Sequence, residues 1–124
     1  MNRYLKLLVG AVAAIFATFA LVGCSASPSV DLKQYAAVID VRTPQEFDAG
    51  HLKGALNIDI EGAAFTAEIE KLDKSQSYYI YCHSGNRAGQ AITYMTGAGF
   101  TGTLTNGGAL EDASTATGLA IVQK

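Results

Sequence analysis

Cys82 is followed by His83, Ser84, Gly85, Asn86 and Arg87, so a nucleophile, a glycine and a fixed positive charge stand within six residues. A cysteine reacts as its thiolate, and a thiolate is stabilised by unpaired backbone N–H groups and by the amino terminus of a helix. Gly85 permits the sharp curvature that turns successive amides inward, and Arg87 brings planar, forked donors suited to oxyanions. Cys82 is thus a candidate catalytic nucleophile, with His83, Ser84, Gly85, Asn86, Arg87 and Ala88 as a substrate-binding cradle for an anion. A buried, inert cysteine after a strand is the plainer alternative, and the glycine and arginine at these spacings argue against it.

Other polar residues read as support for that loop. Asp40 and Arg42 are expected to be structural, Arg42 pairing an acidic residue such as Glu46 and Asp40 accepting hydrogen bonds nearby. His51, after Gly50, reads as a turn histidine held by its own bonds; His83 reads either as a group that tunes the thiolate or a substrate or as a plain loop-surface histidine. No histidine and cysteine spacing suits a zinc site, and no metal or organic cofactor is expected. The formal net charge is −2, and losing Arg3 and Lys6 with a leader makes the balance more acidic. Nucleic acid, which demands a basic face, is therefore not an expected partner.

The elements that must position Cys82 follow from the pattern of apolar residues. Residues 37–41, rich in β-branched side chains, read as a buried strand, and Thr43-Pro44 as the cap and first turn of a short helix ending near Gly50. A second strand is expected over 55–58, a helix over 65–72, and a third strand through Tyr78-Tyr79-Ile80-Tyr81, whose tyrosines suit sheet packing. Cys82 comes directly after it. A helix is expected over 88–98, a fourth strand over 101–105, a turn at Asn106-Gly107-Gly108, a helical turn over 109–113 and a last apolar segment over 119–122. Strands separated by helices imply an α/β domain, a mainly parallel sheet of about five strands with helices on both faces. In such sheets ligands gather at the carboxyl ends of strands and at helix amino termini, which is where Cys82 falls.

The positive mean hydropathy of +0.19 owes much to residues 5–22. Basic Arg3 and Lys6, that apolar run and the small residues after it read as an export signal. Its end, Leu21-Val22-Gly23-Cys24, resembles the lipobox of bacterial lipoproteins, which implies cleavage before Cys24, lipid on Cys24 and a membrane anchor at the cell envelope. The domain would then stand on the outer side of the inner membrane or in the outer membrane, facing the periplasm or extracytoplasmic space. An uncleaved transmembrane anchor and an ordinary signal peptide are the alternatives. The expected organisation is a leader over 1–23, a lipidated cysteine and tether over 24–30, and one domain over 31–124, an ordinary size for a single core. Lipidation of Cys24 would leave Cys82 as the sole thiol of the domain, with no internal disulfide possible.

Cys82-His83-Ser84-Gly85-Asn86-Arg87 resembles the active-site loop of the rhodaneses, Cys-x-x-Gly-x-Arg. Asp40-Val41-Arg42-Thr43-Pro44 with Glu46-Phe47, Gly50-His51-Leu52-Lys53-Gly54-Ala55 and Gly107-Gly108 are similar to further motifs of that family, in the same order. Short, exported, single-domain members of the phage-shock type look most alike. Two departures stand out: many members carry a tryptophan shortly after the glycine pair, where this chain has residues 110–114, and an isoleucine-proline pair where it has Leu52-Lys53. The second is expected to alter only a turn. The resemblance implies a rhodanese-like fold and a sulfurtransferase. Cys82 would take the sulfane sulfur of a small anionic donor such as thiosulfate, or of a persulfide or polysulfide, and pass it to a thiol or cyanide acceptor. Backbone amides of residues 83–88 would hold the charge and Arg87 would orient the donor's sulfonate. Phosphatases and arsenate reductases sharing the fold resemble a loop one residue longer, so the shorter ring argues for a single sulfur atom over phosphate. A non-catalytic module that binds or carries sulfane sulfur for a partner protein is the other function compatible with the loop.

Overall fold

The computed structural model describes residues 28–124; the expected leader, Cys24 and the first part of the tether lie outside the described residues. Among the described residues the first element is a 3-10 turn at Leu32–Gln34, capped by the Asp31 carboxylate on the Lys33 N–H. Strand β1 (Ala37–Asp40) leads to helix α1 (Pro44–Ala49). Thr43 caps α1 through the Glu46 N–H, Glu46 reaches back to Thr43, and Pro44 fills the first turn. Then come β2 (His51–Leu52), β3 (Leu56–Asn57), α2 (Phe65–Glu70), β4 (Tyr78–Cys82), α3 (Asn86–Gly97), β5 (Leu104–Ala109), α4 (Leu110–Thr117) and β6 (Ile121–Val122).

Among the described residues, four strands form a wholly parallel sheet in the order β3-β1-β4-β5, while β2 and β6 pair as a separate antiparallel ribbon. Side chains alternate across β4, all five of whose residues are buried. Tyr78, Ile80 and Cys82 join Ile39, Ile69, Ala88 and Met95 on the face covered by α2 and α3. Tyr79 and Tyr81 join Leu52, Leu110 and Ala113 on the face covered by α4. Burying each of these large side chains is worth about 1.5–3 kcal/mol, so the sheet is held from both sides. From β1 the chain runs to β3 on one side and then to β4 on the other, which makes the gap between the carboxyl ends of β1 and β4 a topological switch point.

Several boundaries differ from expectation. The fourth strand starts at Leu104, not Thr101, and runs through Asn106-Gly107-Gly108, the expected turn. Its register against β4 slips by one residue between Ile80 and Cys82, a bulge at which Gly108 takes φ +74°. A Cβ on Gly107 would stand 2.5 Å from the Tyr79 ring, so the aromatic occupies the space that glycine leaves. The helical turn expected over 109–113 extends to Thr117. Ser29 and Val30, expected in the tether, donate to the Ala116 carbonyl at 3.0 Å, and Val30 packs against the α4 side of the sheet. Lys53 donates its N–H to Ala120 at 2.9 Å, a bond no proline there would make, which lengthens the β2–β6 ribbon.

Candidate active site

Cys82 is the last residue of β4 and is fully buried. Its Sγ receives the Gly85 N–H at 2.9 Å and the Ala88 N–H at 3.5 Å. Gly85 adopts φ +95°, the left-handed conformation that bends the chain back over the sulfur and starts α3 one residue later. Two main-chain dipoles thus converge on Sγ at a helix amino terminus. His83, Ser84 and Asn86 are exposed at the mouth of the loop, Gly85 and Arg87 are half-buried, and Ala88 is buried beneath it.

Arg87 lies across from α1, where its Nη1 and Nη2 grip Glu46 Oε1 and Oε2 at 2.7 and 3.0 Å. Chiefly through that bond from Arg87, the Glu46 carboxyl is lowered to about 2, and the guanidinium is raised in return. Arg42 was expected to take Glu46, but its partner is Asp40, two residues away and wholly buried. Asp40 accepts the Arg42 backbone N–H at 3.0 Å and a forked pair from its side chain, while Arg42 Nη2 also donates to the Gly50 carbonyl at 2.6 Å. Burial pulls the Arg42 guanidinium down, and the bond and charge of Asp40 more than offset it. Asn57 completes the knot by donating to the carbonyls of Asp40 and Arg42 at 3.1 and 2.9 Å. The turn after β1 is therefore fixed on the edge of the sheet where Cys82 stands. His51, expected in a turn, opens β2 instead; it holds the Phe47 carbonyl through Nδ1 at 2.8 Å and stacks on the Phe47 ring, so its ring is satisfied locally.

Two supporting residues escape a sequence reading. Glu46 is legible as an acid for a nearby arginine such as Arg42, but not as the partner of Arg87, which lies 41 residues further on. Asn106 sits on the bulge of β5, donates from Nδ2 to the Gly85 carbonyl at 2.9 Å and accepts the Gly108 N–H at 2.9 Å. It ties the loop to the neighbouring strand, and next to two glycines it reads as a turn former. Beside the loop opens a cleft of about 450 Å³, with Glu46 and His83 on its loop side, Ala49, Leu110 and Ile121 as apolar lining, and Glu111 from α4.

The model of the rhodanese-like domain family matches residues 28–111. The chain is 37% identical over 68 residues to the thiosulfate sulfurtransferase GlpE of Pseudomonas putida, covering 55% of this chain and 60% of that protein. It is 32% identical over 74 residues to the thiosulfate sulfurtransferase PspE of Escherichia coli, covering 60% of this chain and 70% of that protein. The match to the first of these thus spans less than two thirds of its length. Among solved structures, a rhodanese with anions from E. coli aligns with a TM-score of 0.58 at 28% identity, over 71% of this chain and 98% of that one. A rhodanese-related protein from Thermoplasma volcanium aligns with a TM-score of 0.60 at 25% identity, over 79% of this chain and all of that one.

Proposed function

The chain belongs to the rhodanese-like domain family, and from that premise we propose that it is a sulfurtransferase that carries sulfane sulfur on Cys82. The observation that carries this is the pair of amides, Gly85 N–H and Ala88 N–H, aimed at a cysteine sulfur held in a short ring. In the first step the Cys82 thiolate attacks the outer sulfur of thiosulfate, or of a persulfide or polysulfide. The donor's S–S bond breaks, sulfite leaves in the case of thiosulfate, and Cys82 is left as a persulfide. In the second step a thiolate or cyanide attacks the outer sulfur, the new S–S or S–C bond forms, and Cys82 leaves as the thiolate. The amides are in place before charge moves, so they need no reorganisation as it does. Arg87 acts in this pose as a fixed charge behind the ring, since both its terminal nitrogens are held by Glu46.

The amino terminus belongs to the same proposal: residues 1–23 a leader, Cys24 lipidated, and the domain held at the outer side of a membrane. Leu21-Val22-Gly23-Cys24 supports it. Mass spectrometry of the amino terminus from cells tests it, and a free first residue other than Cys24 would overturn it. The catalytic proposal is tested by thiocyanate formation from thiosulfate and cyanide. The wild type is expected to turn over and Cys82→Ala to show background only; equal rates would exclude Cys82 chemistry.

A further inference from the structure

The cleft beside the loop has a chemistry of its own. Two of its charged groups are neutralised internally, Arg42 by Asp40 and Glu46 by Arg87. Glu111, exposed in the first turn of α4, has no salt-bridge partner among the described residues, so the wall it forms carries net negative charge. Apart from the His83 imidazole on the loop side, the remaining lining is Gly50 and the apolar Ala49, Leu110 and Ile121, the last 44% exposed. A dianion such as thiosulfate gains nothing from such walls and is better met by the amides at Cys82.

Resting on the sulfurtransferase reading above, we propose that this cleft is the acceptor subsite, selecting an organic thiol with a compact apolar body and a positive charge. Ala49, Leu110 and Ile121 shelter the body, Glu111 faces the cationic group, and His83 marks the side on which cleft and loop meet. The acceptor's sulfur, deprotonated, bonds to the outer sulfur of the Cys82 persulfide. The bond from that sulfur to Sγ breaks, Sγ leaves as the thiolate, and the acceptor departs as its own persulfide. The acceptor sulfur is oxidised as Sγ is reduced while the outer sulfur passes between them, so no outside oxidant or reductant is needed.

The test uses the full chain, loaded with thiosulfate and offered three thiols of similar size. These are cationic cysteamine, neutral 2-mercaptoethanol and anionic 3-mercaptopropionate, with cyanide turnover measured alongside. The readout is the ratio of kcat/KM for cysteamine to that for 3-mercaptopropionate, compared between variants so that intrinsic thiol reactivity cancels. Glu111→Gln is expected to lower the ratio and Glu111→Lys to lower it about tenfold or more, both effects shrinking with added salt. Glu70→Lys, a like charge change on the exposed face of α2 outside the cleft, is expected to leave the ratio unmoved. An equal shift in Glu70→Lys, or none in Glu111→Lys, overturns the subsite while Cys82-dependent thiocyanate formation stands. Loss of that formation in the wild type overturns the sulfurtransferase reading and the subsite with it.

Discussion

Glu46 closes the capping box of α1 and holds the guanidinium of Arg87, so one carboxylate joins the turn after β1 to the loop after β4. Its folded value of about 2 lies below the ordinary 4.5, so folding favours the ionised form. The stabilisation is therefore complete above about pH 4.5 and is lost as the pH falls through 2. Glu46 and Arg87 are 34% and 21% exposed, so water and salt screen the pair and about 1 kcal/mol is the fitting size. Urea unfolding should find Glu46→Gln less stable than wild type by about that amount from pH 7 to 5, the gap closing toward pH 2. A gap that stays constant to pH 2 would mean that the bridge contributes nothing. Asp40 and Arg42 are a different case, because both are buried. Removing one charge strands the other, so Asp40→Asn should cost about 3–5 kcal/mol in the same experiment, well above the Glu46 effect. The sequence showed Cys82 and its cradle because they lie together along the chain. The partners of Arg42 and Arg87 were hidden because both acids flank the same turn, and only the placing of β4 beside β1 decides which arginine meets Glu46.

At the scale of elements, the bulge of β5 is what joins that strand to the Cys82 loop. Most strands and helices were legible: β-branched and aromatic runs gave β1 and β4, and Thr43-Pro44 gave α1. Asn106-Gly107-Gly108 read as a turn because those residue types favour positive φ, yet only Gly108 uses it. Gly107 is needed instead for the approach of the Tyr79 ring, a demand set by a strand 28 residues earlier in sequence and invisible locally. The two-residue β2 is too short to show any period. Asn106 gives the bulge its chemical use, since its amide nitrogen fixes the carbonyl of Gly85 while the N–H of the same residue points at the Cys82 sulfur. Asn106→Ala should therefore lower kcat for thiocyanate formation several-fold. Asn106→Asp, which keeps the acceptor for Gly108 but loses the donor to Gly85, should fall as far. Full activity in Asn106→Asp would show that the bond to Gly85 has no part in holding the loop.

At the scale of the molecule, the placing of the two ends of α4 bears on how an anchored domain would present its site. Helix α4 follows β5 directly and so begins on the edge of the sheet where Cys82 lies. Its eight residues run for about 12 Å. The first described residues meet its far end: Ser29 and Val30 bond to Ala116, and Pro28 lies against Gly118. Only residues 25–27 separate Cys24 from Pro28, and four residue steps reach at most about 14 Å. A lipid on Cys24 would thus hold the membrane near the carboxyl-terminal end of α4, with the Cys82 loop toward the other end and open to solutes. Residues 28–124 build a core on each face of the sheet, so a fragment of these residues is expected to fold by itself. The lipidated protein in vesicles and a fragment of residues 28–124 should accordingly form thiocyanate with kcat/KM values within about twofold of each other, because both substrates reach the loop from water. A several-fold gain on freeing the fragment would place the loop against the bilayer and overturn this orientation. A fragment that fails to unfold cooperatively in urea would show that residues 1–27 contribute to the fold.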